Sequence, residues 1–445
     1  VSIDSGSNVH WGGGLTVERA RRAIAHDNAR LRALLLVIDP PLRDPSVADD
    51  APLAGVPYSL KDTWDVEGYV TTGGSWRHRA RVSGSSSTIA RALQKAGAVL
   101  VGKSNLSDLA FAGEATSYVG GRTLNPSDPS RTAGGSSGGA AAAVASGMAV
   151  FDWGGDFGGS IRMPAACCGV VGLRLSSEAW PLEGQHFPRS PDRFRSMLGW
   201  GPLARTVDDC ARVVNAVRAV APELRVPIPL PQLGSKVVLY PPDRKTTGAW
   251  KTFAADVTRA LDRAGVPYTT DHDLPPPSEA TQVFNRYLCA HFGDLRELGE
   301  LTLGAGWSAF LLGLASGGRL DRRLHPVSGL NFILCEIGNR TLYRDVVKAD
   351  RQRQQLIDAA KRTFREGGLI VSPTLTWPAP RHGRAELTPH LQAFCKLGNL
   401  IDATAIAVPF GTFDDGLPRS VQVMGPPGSE QQVLALARKL EAAYR

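Results

Sequence analysis

Residues 132–173, TAGGSSGGAAAAVASGMAVFDWGGDFGGSIRMPAACCGVVGL, constrain the fold more than any other part of this chain. Glycine, alanine and serine dominate the run, so the backbones of successive elements must approach closely. AAAAVA is a strong helix former directly after SSGG, AVFDW reads as a buried strand, and a second glycine turn leads into a helix expected near Ser160. Two serines therefore sit on bare, glycine-rich turns. GGSSG at 134–138 formally fits a G-x-S-x-G nucleophile elbow centred on Ser136, but an elbow needs a hydrophobic strand before it. NPSDPSRTA makes no such strand. A phosphate loop fails as well, because no Gly-Lys-Ser/Thr follows. The plain alternative is that Ser136 or Ser137 caps the alanine helix.

Ser160 has the better approach, with the AVFDW strand ahead of it. Gly158 and Gly159 let backbone N–H groups crowd against a reacting carbonyl oxygen, where a single donor is worth roughly 3 kcal/mol. The helix start adds its positive end to the same point. A simple tight turn accounts for the motif about as well. No base is obvious, since the 9 histidines are scattered through polar contexts. Lys61 closes the short apolar strand GVPYSL; a lysine there is usually solvated, but burial would bring its pKa from about 10.4 towards neutrality.

Elsewhere the chain alternates helix and strand, as α/β folds do. Residues 15–36 have helical periodicity, and DPPLRDPSVADDAPL reads as a linker. STIARALQKAGAVLVGKSNL reads as helix, glycine turn and strand. Helices are expected at 249–264 and 343–364, strands at 368–380, 403–411 and 419–425, and a last helix over 429–444. A Gly-rich loop is expected around 303–318.

LKD at 60–62, GGSSGG at 134–139 and DFGGSIRMPAACCG at 156–169 stand in the order found in the amidase signature family, which this chain resembles. GVPYSLKDTWDVEGYVTTGGS, AGAVLVGKSNLSDLAFAG, GPLARTVDD, SPTLTWPAP and VPFG…DDGLPRSVQVMGPPGSE extend the resemblance over most of 52–215 and 366–440. It implies a Ser–cis-Ser–Lys triad with Ser160 as nucleophile, Ser136 as bridging serine after a cis Gly135–Ser136 bond, and Lys61 as base. It also implies an oxyanion hole from the N–H groups of Phe157, Gly158 and Gly159, joined by that of Ser160. Ser137, next but one to Gly135, is expected to orient the cis turn, with a hand in substrate binding as the alternative, and Asp156 and Arg162 to fix the glycine loop. The implied fold is one α/β/α unit around a mixed, twisted sheet. Its parts would be an N-terminal helical segment (1–50), the signature core (51–215), a substrate-shaping cap (216–365) and the rest of the core (366–445). Two departures stand out: Gly155 replaces a frequent hydroxyl residue, and LPRSVQ places Arg419 and Ser420 in a normally small, apolar stretch.

Specificity is expected from 181–200 and the unmatched middle. Trp153, Phe157, Trp180, Trp200, Trp307 and Phe310 are candidates for an apolar pocket, which points to a neutral amide, anilide or carbamate. The alternatives are the glutaminase subunit of a tRNA-dependent amidotransferase and a catalytically silent, amidase-like binding protein. Composition narrows the rest. Hydrophobic residues make up 43% and charged residues 21%, an ordinary globular balance. The longest aliphatic run, Ala33 to Ile38, is too short to cross a bilayer. The start, VSIDSGSN, has no basic region followed by an apolar core, so the expected location is cytoplasmic. Net charge is +8, but the basic clusters RHRAR (77–81) and RLDRR (319–323) carry no nucleic-acid motif. Six cysteines without CxxC or matching histidine spacing argue against structural zinc. No metal or organic cofactor is expected, the partner is a small-molecule amide or carbamate, and the assembly is a monomer or homodimer.

Overall fold

The computed structural model describes residues 14–180, 192–229, 233–293, 311, 314–315, 322, 324–388 and 390–444. The chain opens with α1 (Val17–Leu31), β1 (Leu34–Leu42), β2 (Pro57–Lys61), α2 (Thr88–Lys95) and β3 (Val99–Ser104). A small ribbon, β4 (Thr116–Ser117) and β5 (Gly121–Arg122), comes before α3 (Gly138–Ala145), β6 (Phe151–Asp156) and α4 (Arg162–Cys168). Next are β7 (Val171–Arg174), β8 (Gly199–Ala204) and α5 (Val207–Val220). The middle holds β9 (Val237–Leu239), α6 (Phe253–Arg263), β10 (Tyr268–Thr269), α7 (Pro277–Ala290), α8 (Pro326–Thr341) and α9 (Val346–Glu366). The last part is β11 (Ile370–Pro373), α10 (Ala393–Leu400), β12 (Thr404–Thr412), β13 (Pro418–Gly425) and α11 (Glu430–Tyr444).

Eleven described strands form one mixed sheet in the order β1-β3-β2-β6-β8-β7-β12-β13-β11-β9-β10. β2 runs parallel to β3 and β6, whereas β6, β8, β7, β12 and β13 pair antiparallel in turn. Strand alternation sends neighbouring residues to opposite layers. Leu100 packs with α2, α5 and α11 on one face, while Val101 packs with α1, α3 and α4 on the other. A third cluster gathers α7, α8, α9 and α10. This is the expected α/β architecture, a mixed sheet flanked by helices. No described helix is long and apolar enough to cross a membrane.

Three differences from the sequence reading have plain causes. The helix expected over 15–36 ends at Leu31, where Arg32 turns left-handed at φ 52°, and Leu34–Leu36 already belong to β1, so the 1–50 segment is helix followed by a strand of the main sheet. The segment read as a linker begins as strand, because β1 runs to Leu42 and includes Asp39, Pro40 and Pro41. β1 is an edge strand, where missing proline N–H groups cost the ladder little. The middle segment also does more than cap the core, since β9 and β10 extend the same sheet. The Gly-rich loop at 303–318 falls largely outside the described residues.

Candidate active site

The parallel pairing of β2 with β6 sets up the site. Tyr58, Ser59 and Leu60 lie opposite Phe151, Asp152 and Trp153, so Lys61 and the glycines that follow Trp153 emerge at the same edge of the sheet. Open α/β sheets place their ligand sites at such carboxyl ends. Lys61 is only 2% exposed. Its ammonium donates to Ser136 Oγ at 2.7 Å and to Gly155 O at 3.3 Å. Among the described residues, no carboxylate forms an ion pair with it. Burial lowers its pKa to about 7, against the upward pull of Asp156 and Asp152 at longer range. A lysine tuned this way can accept a proton near neutral pH.

Ser136 follows a cis Gly135–Ser136 bond and is buried. A β-carbon on Gly135 would sit 2.5 Å from Ala112 O and 2.6 Å from Glu114 N, so only glycine fits there. Ser137 holds the first position before α3 without making a capping bond from its side chain. Ser137 thus takes the N-cap place that the plain reading gave it, but without the side-chain bond that makes a serine cap useful. Ser137 instead ties the two serine turns together: its N–H donates to Ser160 O at 3.2 Å and its hydroxyl to Gly155 O at 3.5 Å. Gly155, where the family often has a hydroxyl residue, serves here through its carbonyl.

Ser160 is half-buried, in the turn between β6 and α4, and α4 starts two residues later. Gly159 has φ +112°, and a β-carbon on it would lie 2.6 Å from Cys395 Cβ. Asp156 holds this turn. Its carboxylate accepts from the N–H groups of Gly159 (2.9 Å), Ile161 (3.1 Å) and Arg162 (3.3 Å), and from Asn399 Nδ2 (2.9 Å). Arg162 grips both carboxylate oxygens, at 3.0 and 2.9 Å, and reaches Gln422 and Asn399 with its remaining donors. Burial works against charge on Asp156, but Arg162 and Arg174 outweigh it and hold the carboxyl well below its usual range. The Gly159 N–H is thus committed to Asp156, while the N–H groups of Phe157 and Gly158 precede that anchor.

Ser160, Gly135, Phe157 and Gly158 line a cavity of about 340 Å³. Of the aromatic residues expected to shape it, Phe157 alone among the described ones does so. Trp153 lies opposite Leu60 and follows it into the core on the far face of the sheet. Trp180 bonds Glu430 at 3.3 Å, and Trp200 packs edge-on against Trp64. Trp307, Phe310 and residues 181–191 lie outside the described residues. The cavity is walled instead by Phe111, Phe284 and Tyr343, and it includes an acidic and a basic residue that no motif announced, Glu386 and Lys396. Phe194, in the described part of 181–200, backs Phe157 at 5.5 Å. Arg419 and Ser420 are remote from the cavity: Arg419 stacks on Trp250 and bonds Asp256, and Ser420 bonds Thr374. A larger cavity of about 1010 Å³, near Glu178, Asp192 and Arg353, contains none of these site residues. Among the described residues no cluster of His, Cys, Asp and Glu is placed to hold a metal.

Comparison with known proteins identifies the family of the chain. The Amidase family profile matches residues 17–434. One component of the glutamyl-tRNA(Gln) amidotransferase of Synechococcus sp. (strain RCC307) is 30% identical, over 96% of this chain and 93% of its own. A solved amidase is 26% identical with TM-score 0.71, covering 96% of this chain and 95% of that one. The peptide amidase of Stenotrophomonas maltophilia shares the fold at TM-score 0.71 and 23% identity, over 97% and 94% of the two chains. The chain belongs to the amidase family.

Proposed function

We propose that this amidase-family chain hydrolyses the C–N bond of an amide, anilide or carbamate through an acyl-enzyme on Ser160. The observation that carries the reading is the buried Lys61 ammonium, 2.7 Å from Ser136 Oγ, with no described carboxylate in contact. Neutral Lys61 takes a proton from Ser136, and Ser136 takes one from Ser160 as its oxygen attacks the carbonyl carbon. The tetrahedral oxyanion is received by the N–H groups of Phe157 and Gly158, with Gly159 held back by Asp156. The relay then runs in reverse and protonates the departing amine. Water repeats the cycle on the acyl-enzyme, and a carbamate would follow the same course through a carbonate-type intermediate. Asp156 and Arg162 act by positioning, because their bonds hold the turn that carries Ser160.

The test is amine release from an anilide and its matched aryl carbamate by wild type and Ser160→Ala. We expect release by wild type alone, and the rate ratio ranks amide against carbamate. Equal rates in both proteins would reject Ser160. A second reading rests on the relationship to the amidotransferase component: the chain would release ammonia from glutamine for a partner complex. Co-purification with partner proteins and a marked preference for glutamine would favour it.

A further inference from the structure

Lys396 lies on α10, one residue after Cys395, whose side chain abuts Gly159 and whose carbonyl accepts from Arg162 at 2.9 Å. The helix that braces the nucleophile turn thus also delivers an ammonium to the Ser160 cavity. Lys396 is partly open to that cavity yet enclosed by protein on its other sides. It is the one cation among the described residues lining the cavity. Its ammonium makes a single hydrogen bond among the described residues, to Asn285 Oδ1 at 3.1 Å, and sits 5.2 Å from the Phe284 ring centroid. Two of its three donors therefore have no acceptor among those residues. Glu386 also lines the cavity but forms no ion pair with Lys396. Burial pushes the Glu386 carboxyl upward from its usual range, and the Gly113 N–H on one oxygen and the Asn331 amide oppose that only in part. Burial works against charge on Lys396 and Glu386 supports it from beyond contact distance, while no described residue takes up its two spare donors.

We propose that Lys396 is a specificity residue that binds a carboxylate, or an equivalent anionic group, carried by the substrate whose scissile carbonyl sits at Ser160. The substrate class is then an amide with an acidic group a few carbons from the carbonyl, in place of the neutral amide expected from sequence. An ammonium in a partly desolvated cavity discriminates between an anion and a neutral isostere, because the anion both neutralises its charge and accepts the stronger, charge-assisted bonds from its spare donors. The placement relative to the scissile bond rests on Ser160 as nucleophile. The binding of an anion at Lys396 does not.

The experiment measures binding by calorimetry to Ser160→Ala protein, so turnover is not required. The probes are the mono-anilides of succinic, glutaric and adipic acid, each against a neutral anilide of equal chain length. At least one acid anilide should bind ten-fold or more tightly than its neutral match. Lys396→Met should bring that ratio to about one, and Lys396→Arg should keep most of it, which separates loss of charge from loss of fold. Glu386→Gln should tighten the acids further, since it removes an opposing charge. Equal or tighter binding of the neutral anilides, no binding of any acid, or weakening by Glu386→Gln would overturn the proposal; the last would instead indicate an ammonium on the ligand. Probe hydrolysis persisting in Ser160→Ala would be a separate result, against the nucleophile and not against Lys396.

Discussion

Lys61 and Lys103 are both buried near the carboxyl ends of neighbouring parallel strands, and the sheet gives them opposite chemistry. Lys61 pairs in register with Ser104, and Leu60 with Lys103, so the two lysines point to opposite faces. Lys103 meets Asp62 at 2.7 Å and the Thr71 hydroxyl. Burial drags its pKa down, and Asp62 props it up at contact distance. Lys61 meets a hydroxyl and a carbonyl, and its pKa settles near 7. One residue along a strand thus separates a lysine kept as half of an ion pair from one free to give up its proton. On the proposed function, the lack of a carboxylate at contact distance is what leaves the buried Lys61 able to act as base.

The comparison breaks most sharply under substitution. Lys61→Met should lower kcat/KM on the order of a thousand-fold, as loss of a general base does, without lowering the melting temperature. Lys103→Met should act the other way round. It strands Asp62 as an unpaired buried charge, which costs about 3–5 kcal/mol of stability, while protein that stays folded keeps kcat/KM within a few-fold. The double variant Lys103→Met/Asp62→Asn should recover much of that loss in a denaturant melt. A lysine whose removal costs both activity and stability would erase the distinction.

A pH profile sharpens it. With Lys61 near 7, kcat/KM should rise about ten-fold per pH unit below 7 and level off above, because the working form is the neutral amine. Asp152 raises the Lys61 pKa, so Asp152→Asn should move the acid limb to lower pH by a fraction of a unit. The smallest effect belongs to Ser137→Ala. Its hydroxyl makes a long 3.5 Å bond, so the loss should be about 1 kcal/mol and a few-fold in rate.

Much of the candidate site was legible in the chain because its parts are local. Lys61 ends a readable strand, and Ser136 and Ser160 each lie inside a glycine run; a tight turn or a helix cap would explain those runs as well, and the family resemblance is what singled the three residues out. The cavity wall was not legible. Lys396 and Glu386 come from a late helix and the loop before it, with no spacing to mark them, and they reach Ser160 only through the packing of α10 on Gly159. The tryptophans misled for a related reason: composition shows that they are large and apolar, but only sheet register shows that Trp153 faces away from Lys61. Likewise, the prolines of β1 hid a strand because tolerance of proline depends on lying at the sheet edge.

The most direct test is the rate of fluorophosphonate adduct formation from pH 5 to 9, with the modified residue identified by mass spectrometry. The account predicts one adduct, on Ser160, forming at a rate that climbs through pH of about 7 and is abolished by Lys61→Met. An adduct on another residue, or a rate indifferent to pH and to Lys61, would contradict it.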